Sequence, residues 1–268
     1  MPSWKQAVNA TLSRLIGYHL ERSNKPRADQ DAARRQAAKP PAKPDLPDDF
    51  DEDYRAIIAA VEPFTMTRSD KLHALITATK YIHQHEVPGA VVECGVWRGG
   101  SMHAVARVLD AAGDHSRDLY LFDTFEGMPP PTERDRRLRG RSAAELLAKS
   151  KKTRAIWAYA SLEEVQAGFK NVPYPAERIH FIKGKVEDTV PAQAPEQIAL
   201  LRLDTDWYES TRHELEHLYD RLVSGGVLII DDYGWWKGSR EATDEFLRKT
   251  GDRILLVRAG TGRIAVKP

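Results

Sequence analysis

Four aspartates stand at the ends of two apolar runs. Leu200-Leu201-Arg202-Leu203 finishes in Asp204-Thr205-Asp206, and Val227-Leu228-Ile229-Ile230 finishes in Asp231-Asp232. Short apolar runs bounded by polar residues read as buried parallel strands. In an open parallel sheet the carboxyl ends of neighbouring strands face one crevice, where ligands bind. Four carboxylates gathered there repel one another unless a cation sits among them, and all-oxygen ligation suits a hard ion such as Mg²⁺. A lone aspartate at a strand end often does no more than cap the next helix. Asp204 and Asp206, two positions apart, are expected to project from one side of an extended segment.

A second constellation, Glu93-Cys94-Gly95-Val96-Trp97-Arg98-Gly99-Gly100-Ser101, follows the apolar run Ala90-Val91-Val92. Glycines at a strand-to-helix turn let the backbone approach a ligand closely. The turn is not a G-x-G-x-x-G pattern, and it opens with an acid, which is unfavourable beside a pyrophosphate and favourable beside a cation. S-adenosylmethionine carries a sulfonium and an ammonium and no phosphate, so charge favours it over NAD. Asp123 closes the run Leu119-Tyr120-Leu121-Phe122, about 30 residues further on as a βαβ unit requires. There it is placed to accept hydrogen bonds from both ribose hydroxyls.

Other residues of chemical type have plainer readings. His213 and His217 lie one turn apart and could shuttle protons, but they read better as helix-face residues pointing away from the crevice. His103 and His180 read as packing residues, as does Cys94, which has no identifiable partner. Trp235-Trp236 could stack on a sugar face or anchor a loop, whereas Trp207 reads as core.

A scaffold must bring these groups together. At 268 residues the chain has room for one sizeable α/β domain with appendages. Helical periodicity over Tyr54–Phe64 and Asp70–His85 precedes the strand Ala90–Glu93, and a helix is expected over Ser101–Leu109. Further strands are expected at Leu119–Asp123, Ile179–Lys183, Ile198–Asp204 and Val227–Ile230. Arg253–Arg258 and Arg263–Lys267 read as a hairpin around Ala259-Gly260-Thr261-Gly262. Strands alternating with helical patterns make right-handed βαβ units. Residues 125–160 form an insert too long for a simple crossover, expected to be a lid or an excursion. Within it, residues 133–154 carry nine Lys or Arg and three acids. These bases could meet a substrate phosphate, but a solvated helix face is the simpler reading.

The domain is expected over 50–268, preceded by an amphipathic helix at 1–22 (Trp4, Val8, Leu12, Leu15, Ile16, Leu20) and a Pro-, Ala- and Lys-rich linker at 23–49. Forty basic against thirty-nine acidic residues give no global field toward nucleic acid. One cysteine excludes a disulfide framework and a Cys-rich metal site. No apolar stretch reaches the roughly 18–20 residues needed to span a bilayer, nor is there a signal-peptide core. A soluble cytoplasmic protein is the default expectation.

The segments VVECGVWRGGS, LYLFDTFEGMP, FIKGKVEDT, LLRLDTDWYEST and GGVLIIDDYGWWKGS, in that order, resemble the macrocin O-methyltransferase family over roughly residues 60–250. The resemblance implies a Rossmann-like class I methyltransferase fold: a mostly parallel seven-stranded sheet with a C-terminal antiparallel hairpin. It also implies Mg²⁺-dependent methyl transfer from S-adenosylmethionine to a sugar hydroxyl of a glycosylated natural product, by a homo-oligomer. By matching motif, Asp204, Asp231 and Asp232 would be metal ligands and Asp206 the general base. Glu93, Gly95, Ser101 and Asp123 would contact S-adenosylmethionine, Val186 and Glu187 would lie near the adenine, and the segment carrying Met66 and Thr67 would cover the methionine end. Two alternatives remain: an NAD-dependent oxidoreductase acting on a sugar nucleotide, against which Glu93 speaks, and a non-catalytic scaffold, against which the retention of all four aspartates speaks.

Overall fold

The structure, a computed structural model, describes residues 46–152 and 155–268. The helix expected over 1–22 and all but the last residues of the linker expected over 23–49 lie outside the described residues. The compact unit starts at Leu46, because Leu46 and the buried Phe50 already pack against the first helix.

In chain order the elements are α1 (Glu52–Val61), α2 (Ser69–Gln84), β1 (Ala90–Cys94), α3 (Gly100–Ala111), β2 (Leu119–Asp123), α4 (Ala143–Ala148) and α5 (Leu162–Phe169). There follow β3 (Ile179–Lys183), α6 (Val186–Thr189), β4 (Ile198–Leu203), α7 (Tyr208–Leu218), β5 (Leu222–Ile230), α8 (Lys237–Thr250), β6 (Val257–Ala259) and β7 (Gly262–Val266). The sheet order is β3-β2-β1-β4-β5-β7-β6. β1 to β5 are parallel, and β7 is antiparallel to both β5 and β6. This is the seven-stranded sheet with a C-terminal hairpin that the sequence implied.

All five residues of β1 and all six of β4 are buried, as central parallel strands require when helices cover both faces. One face packs on α2 and α3 through Leu75, Ile82, Met102, Val105 and Leu109. The other packs on α7 through Leu215 and Leu218, which meet Val92, Leu201 and Leu228. The order in which strands are added reverses between β1 and β4, so a crevice opens over their carboxyl ends.

Some boundaries differ from expectation. β5 starts at Leu222 rather than Val227, because its first residues pair with the foot of β4 although Gly225 and Gly226 interrupt the apolar pattern. The strand expected over Arg253–Arg258 is only Val257–Ala259, since Gly251, in the left-handed conformation, ends α8 and residues 252–256 run irregularly before pairing begins. Val186 and Glu187, expected in a loop, begin the short helix α6.

The insert is folded onto the domain. Ala143 and Leu147 of α4 form a small core with Trp207 and Trp236, joined by Met128, Ile156 and Trp157. Its anchor is Asp135, fully buried. One carboxylate oxygen accepts from the backbone N–H of Tyr208 at the start of α7 (2.8 Å), and the other accepts from Thr132.

Candidate active site

A cavity of about 470 Å³ opens over the carboxyl ends of β1, β2, β4 and β5. Met66, Thr67, Gly95, Ser101, Asp123, Val186, Glu187, Asp204, Asp206, Asp231 and Asp232 all line it. Segments distant in the chain thus bring to one chamber all but one of the site residues that the resemblance implies.

The exception is Glu93. It lies beneath the cavity, 1% exposed, and its Oε1 accepts from Arg202 Nη1 at 2.6 Å. The cation that this acid faces is the protein's own, because the β1/β4 register sets Glu93 directly beside Arg202. Burial pushes its carboxyl up to about 7 against the pull of that guanidinium.

Gly95, with φ of 87°, has a structural reason to be glycine. A Cβ there would stand 2.1 Å from the carbonyl oxygen of Asp204, where the ends of β1 and β4 touch. Asp123 likewise has a duty of its own. Its Oδ2 accepts from the backbone N–H of Val96 (2.7 Å) and Trp97 (3.0 Å), and its Oδ1 from Phe125 N–H (2.7 Å). The carboxylate at the end of β2 therefore holds the glycine-rich turn in shape.

The four aspartates converge, though not as alternation along a strand would have it. β4 ends at Leu203, and Asp206 has φ of 66°, in the left-handed region. The chain turns between Asp204 and Asp206, so a bend rather than an extended pleat carries both to the cavity. Trp236 Nε1 donates to Asp206 Oδ1 at 2.5 Å. Burial, reinforced by the Asp204 charge, pushes the Asp206 carboxyl up to about 7.

Asp204, Asp231 and Asp232 can each present one carboxylate oxygen so that all three lie within 4.8 Å of one another. Burial raises the carboxyls of Asp204 and Asp232 well above the usual range. At Asp231 burial acts the same way, but Arg202 and Lys71 outweigh it and hold the group low. Asp232 Oδ2 is buried and has no hydrogen-bond partner among the described residues. Hard oxygen donors with one oxygen left unsatisfied fit a small divalent cation.

Two cations belong to this cluster and were not singled out in the sequence. Arg202 interrupts the buried run of β4, and its guanidinium reaches Glu93, Asp204 (2.8 Å), Asp231 (2.6 Å) and Thr67 Oγ1 (3.2 Å). Its signal was available: a charge inside a buried apolar strand must have partners. Lys71, on α2, hydrogen-bonds the Asp231 carboxylate and its backbone carbonyl oxygen (3.0 Å). An ordinary helix position gives no sequence signal for that contact.

On the opposite wall, Arg137 of the insert stacks over Trp235 and Trp236, 3.9 and 4.1 Å from the ring centroids. Trp235 is 48% exposed at the cavity, whereas Trp236 and Trp207 are buried. The histidines lie elsewhere: His213 bonds the Val190 carbonyl oxygen and meets His217, His180 pairs with Asp118, and His103 packs between Phe64 and Phe169. Cys94 is buried packing.

A sheet of this order with a chamber over its β1/β4 reversal defines a class I methyltransferase. Residues 8–254 match the macrocin-O-methyltransferase (TylF) family, and the chain belongs to that family of S-adenosylmethionine-dependent O-methyltransferases. The match begins well before residue 60, where the recognisable motifs start.

The 8-demethyl-8-(2,3-dimethoxy-alpha-L-rhamnosyl)-tetracenomycin-C 4'-O-methyltransferase of Streptomyces olivaceus is 37% identical over 63% of this chain, an alignment that spans 62% of that enzyme's length. Mycinamicin III 3''-O-methyltransferase of Micromonospora griseorubida is 32% identical over 75% of this chain and 74% of its own. Among solved structures, the O-methyltransferase NovP superposes with a TM-score of 0.67 at 29% identity, covering 76% of this chain and 82% of that one.

Proposed function

We propose that this protein transfers a methyl group from S-adenosylmethionine to a hydroxyl of a sugar carried on a glycosylated small molecule, with Mg²⁺ held by Asp204, Asp231 and Asp232 and with Asp206 as general base. The observation that carries the reading is the convergence of these four carboxylates, from two neighbouring strand ends, on the cavity that also holds the glycine-rich turn and Asp123. The S. olivaceus relative supports the acceptor class, since its name specifies a rhamnosyl-bearing tetracenomycin.

A sugar hydroxyl is a poor nucleophile near neutral pH. A divalent cation supplies Lewis-acid stabilisation of developing negative charge on oxygen. Asp206 suits the base role because burial and the Asp204 charge raise its carboxyl to about 7, toward the range where a base is most effective near neutral pH. Trp236 donates to Oδ1 and so fixes the orientation of this carboxylate. Gly95, Ser101 and the turn shaped by Asp123 hold the cofactor, Thr67 and Met66 cover its methionine end, and Val186 and Glu187 border its adenine. The exposed ring of Trp235 offers a face for a sugar to stack on. A cytoplasmic homo-oligomer completes the proposal.

The test is labelled S-adenosylmethionine with a panel of glycosides, their aglycones and free catechols, each with Mg²⁺ or with excess chelator. Label on a sugar oxygen, only with the cation present, is the expected result. Transfer to catechols alone would reject the acceptor class, and full transfer in chelator would reject the metal.

A further inference from the structure

The acid cluster already holds two cations, and they are held differently. Arg202 is locked in the sheet: its side chain is 3% exposed and it has four partners, with Glu93 behind it. Lys71 approaches from α2 on a flexible stem and borders the cavity; among the described residues its ammonium hydrogen-bonds Asp231 alone, through one carboxylate oxygen and the backbone carbonyl oxygen.

Each oxygen of Asp231 therefore already faces a cation. Oδ1 accepts from Arg202 Nη2 and Oδ2 from Lys71 Nζ. A divalent cation that takes Oδ2 must share it with an ammonium, and like charges at such separation in a buried site repel strongly. Five carboxylates, those of Glu93, Asp204, Asp206, Asp231 and Asp232, stand with only two cations, Arg202 and Lys71, at this end of the sheet among the described residues. The cluster can accept a further cation, which on Asp231 Oδ2 would meet the Lys71 ammonium.

We propose that Lys71 is an exchangeable resident cation: it occupies Asp231 Oδ2 until a divalent ion arrives, and on release its ammonium turns into the cavity to pair with the carboxylate of the cofactor's amino-acid end. Lys71 lies four positions beyond Thr67, in the first turn of α2, and both line the cavity together with Phe64–Met66 and Arg68. A released ammonium there has one anionic group within the expected ligand to meet, since S-adenosylmethionine and S-adenosylhomocysteine each carry a carboxylate. Lys71 is on this account a positioning residue that links metal binding to cofactor binding. The inference rests on the metal site proposed above.

Calorimetry on the purified protein tests it, using Mg²⁺ alone and S-adenosylhomocysteine with and without Mg²⁺. Lys71→Met, which removes the competing ammonium, should bind Mg²⁺ about tenfold more tightly than the wild type. The same variant should lose about tenfold in S-adenosylhomocysteine affinity when Mg²⁺ is present and little when it is absent, because without the metal Lys71 is already engaged. Lys71→Arg keeps the charge and grips a carboxylate with a planar fork, so its Mg²⁺ affinity should fall; this variant reads the exchange even if Lys71→Met folds poorly.

Unchanged or weaker Mg²⁺ binding by Lys71→Met would overturn the exchange. An equal loss of S-adenosylhomocysteine affinity with and without metal would overturn the link to the cofactor. Failure of the wild type itself to bind Mg²⁺ would instead reject the underlying metal site.

Discussion

Trp236 and Asp206, thirty residues apart, meet through a hydrogen bond of 2.5 Å from the indole nitrogen to Oδ1. Trp236 is itself fixed between Trp207, at 4.9 Å between ring centroids, and the Arg137 guanidinium. The proposed base is therefore oriented by a side chain that the insert holds in place. Trp236→Phe keeps most of the packing and removes the donor. Turnover should fall about tenfold or more while S-adenosylhomocysteine affinity stays within about twofold, since only alignment is lost. Steady-state kinetics with calorimetry check this, and a loss confined to cofactor affinity would contradict it.

Asp206→Asn isolates the charge of the base. Asparagine tolerates the left-handed backbone at this position better than most residues, so the turn should survive. The variant should keep Mg²⁺ and S-adenosylhomocysteine binding while turnover drops by about 10²–10⁴. If Mg²⁺ affinity falls as far as in Asp232→Asn, Asp206 belongs with the ligands instead.

Asp123→Ala should do two things at once. Three backbone N–H groups, of Val96, Trp97 and Phe125, lose their acceptor. Leaving buried donors unpaired costs about 1–3 kcal/mol each when water cannot replace the partner. Both the urea midpoint and S-adenosylhomocysteine affinity should fall. A weakened cofactor with an unchanged midpoint would mean that the carboxylate serves the ligand alone.

His103 should make the protein acid-sensitive. Burial, with Arg107 nearby, pushes its pKa down to about 4, against an unfolded value of about 6.5. Between those values the unfolded chain binds a proton that the folded chain does not. This contribution is full above pH ~6.5 and is lost as pH falls toward ~4, a span worth on the order of 2–3 kcal/mol. His103→Phe should therefore lose less stability than the wild type between pH 7 and pH 4.5, as read from urea midpoints. Equal losses would assign the acid sensitivity to other groups.

What could be read from the chain alone was local. The five parallel strands and the hairpin announce themselves as apolar runs because each buries its own residues, and the strand-end aspartates follow from where those runs stop. The glycine-rich turn and Asp123 could be paired because a βαβ unit fixes their order and spacing. Family membership rests on such blocks as well.

The tertiary structure decided everything that depends on which strands and helices are neighbours. Only the β1/β4 register sets Glu93 against Arg202, giving this acid an internal cation through Oε1. Packing of α2 beside β5 brings Lys71 to Asp231 across 160 positions of sequence. The left-handed turn at Asp206 and the docking of the insert through Asp135 likewise leave no periodic trace. Periodicity reports which face of an element is buried. It carries no information about the partner across the sheet, and that partner sets the charge balance of this site.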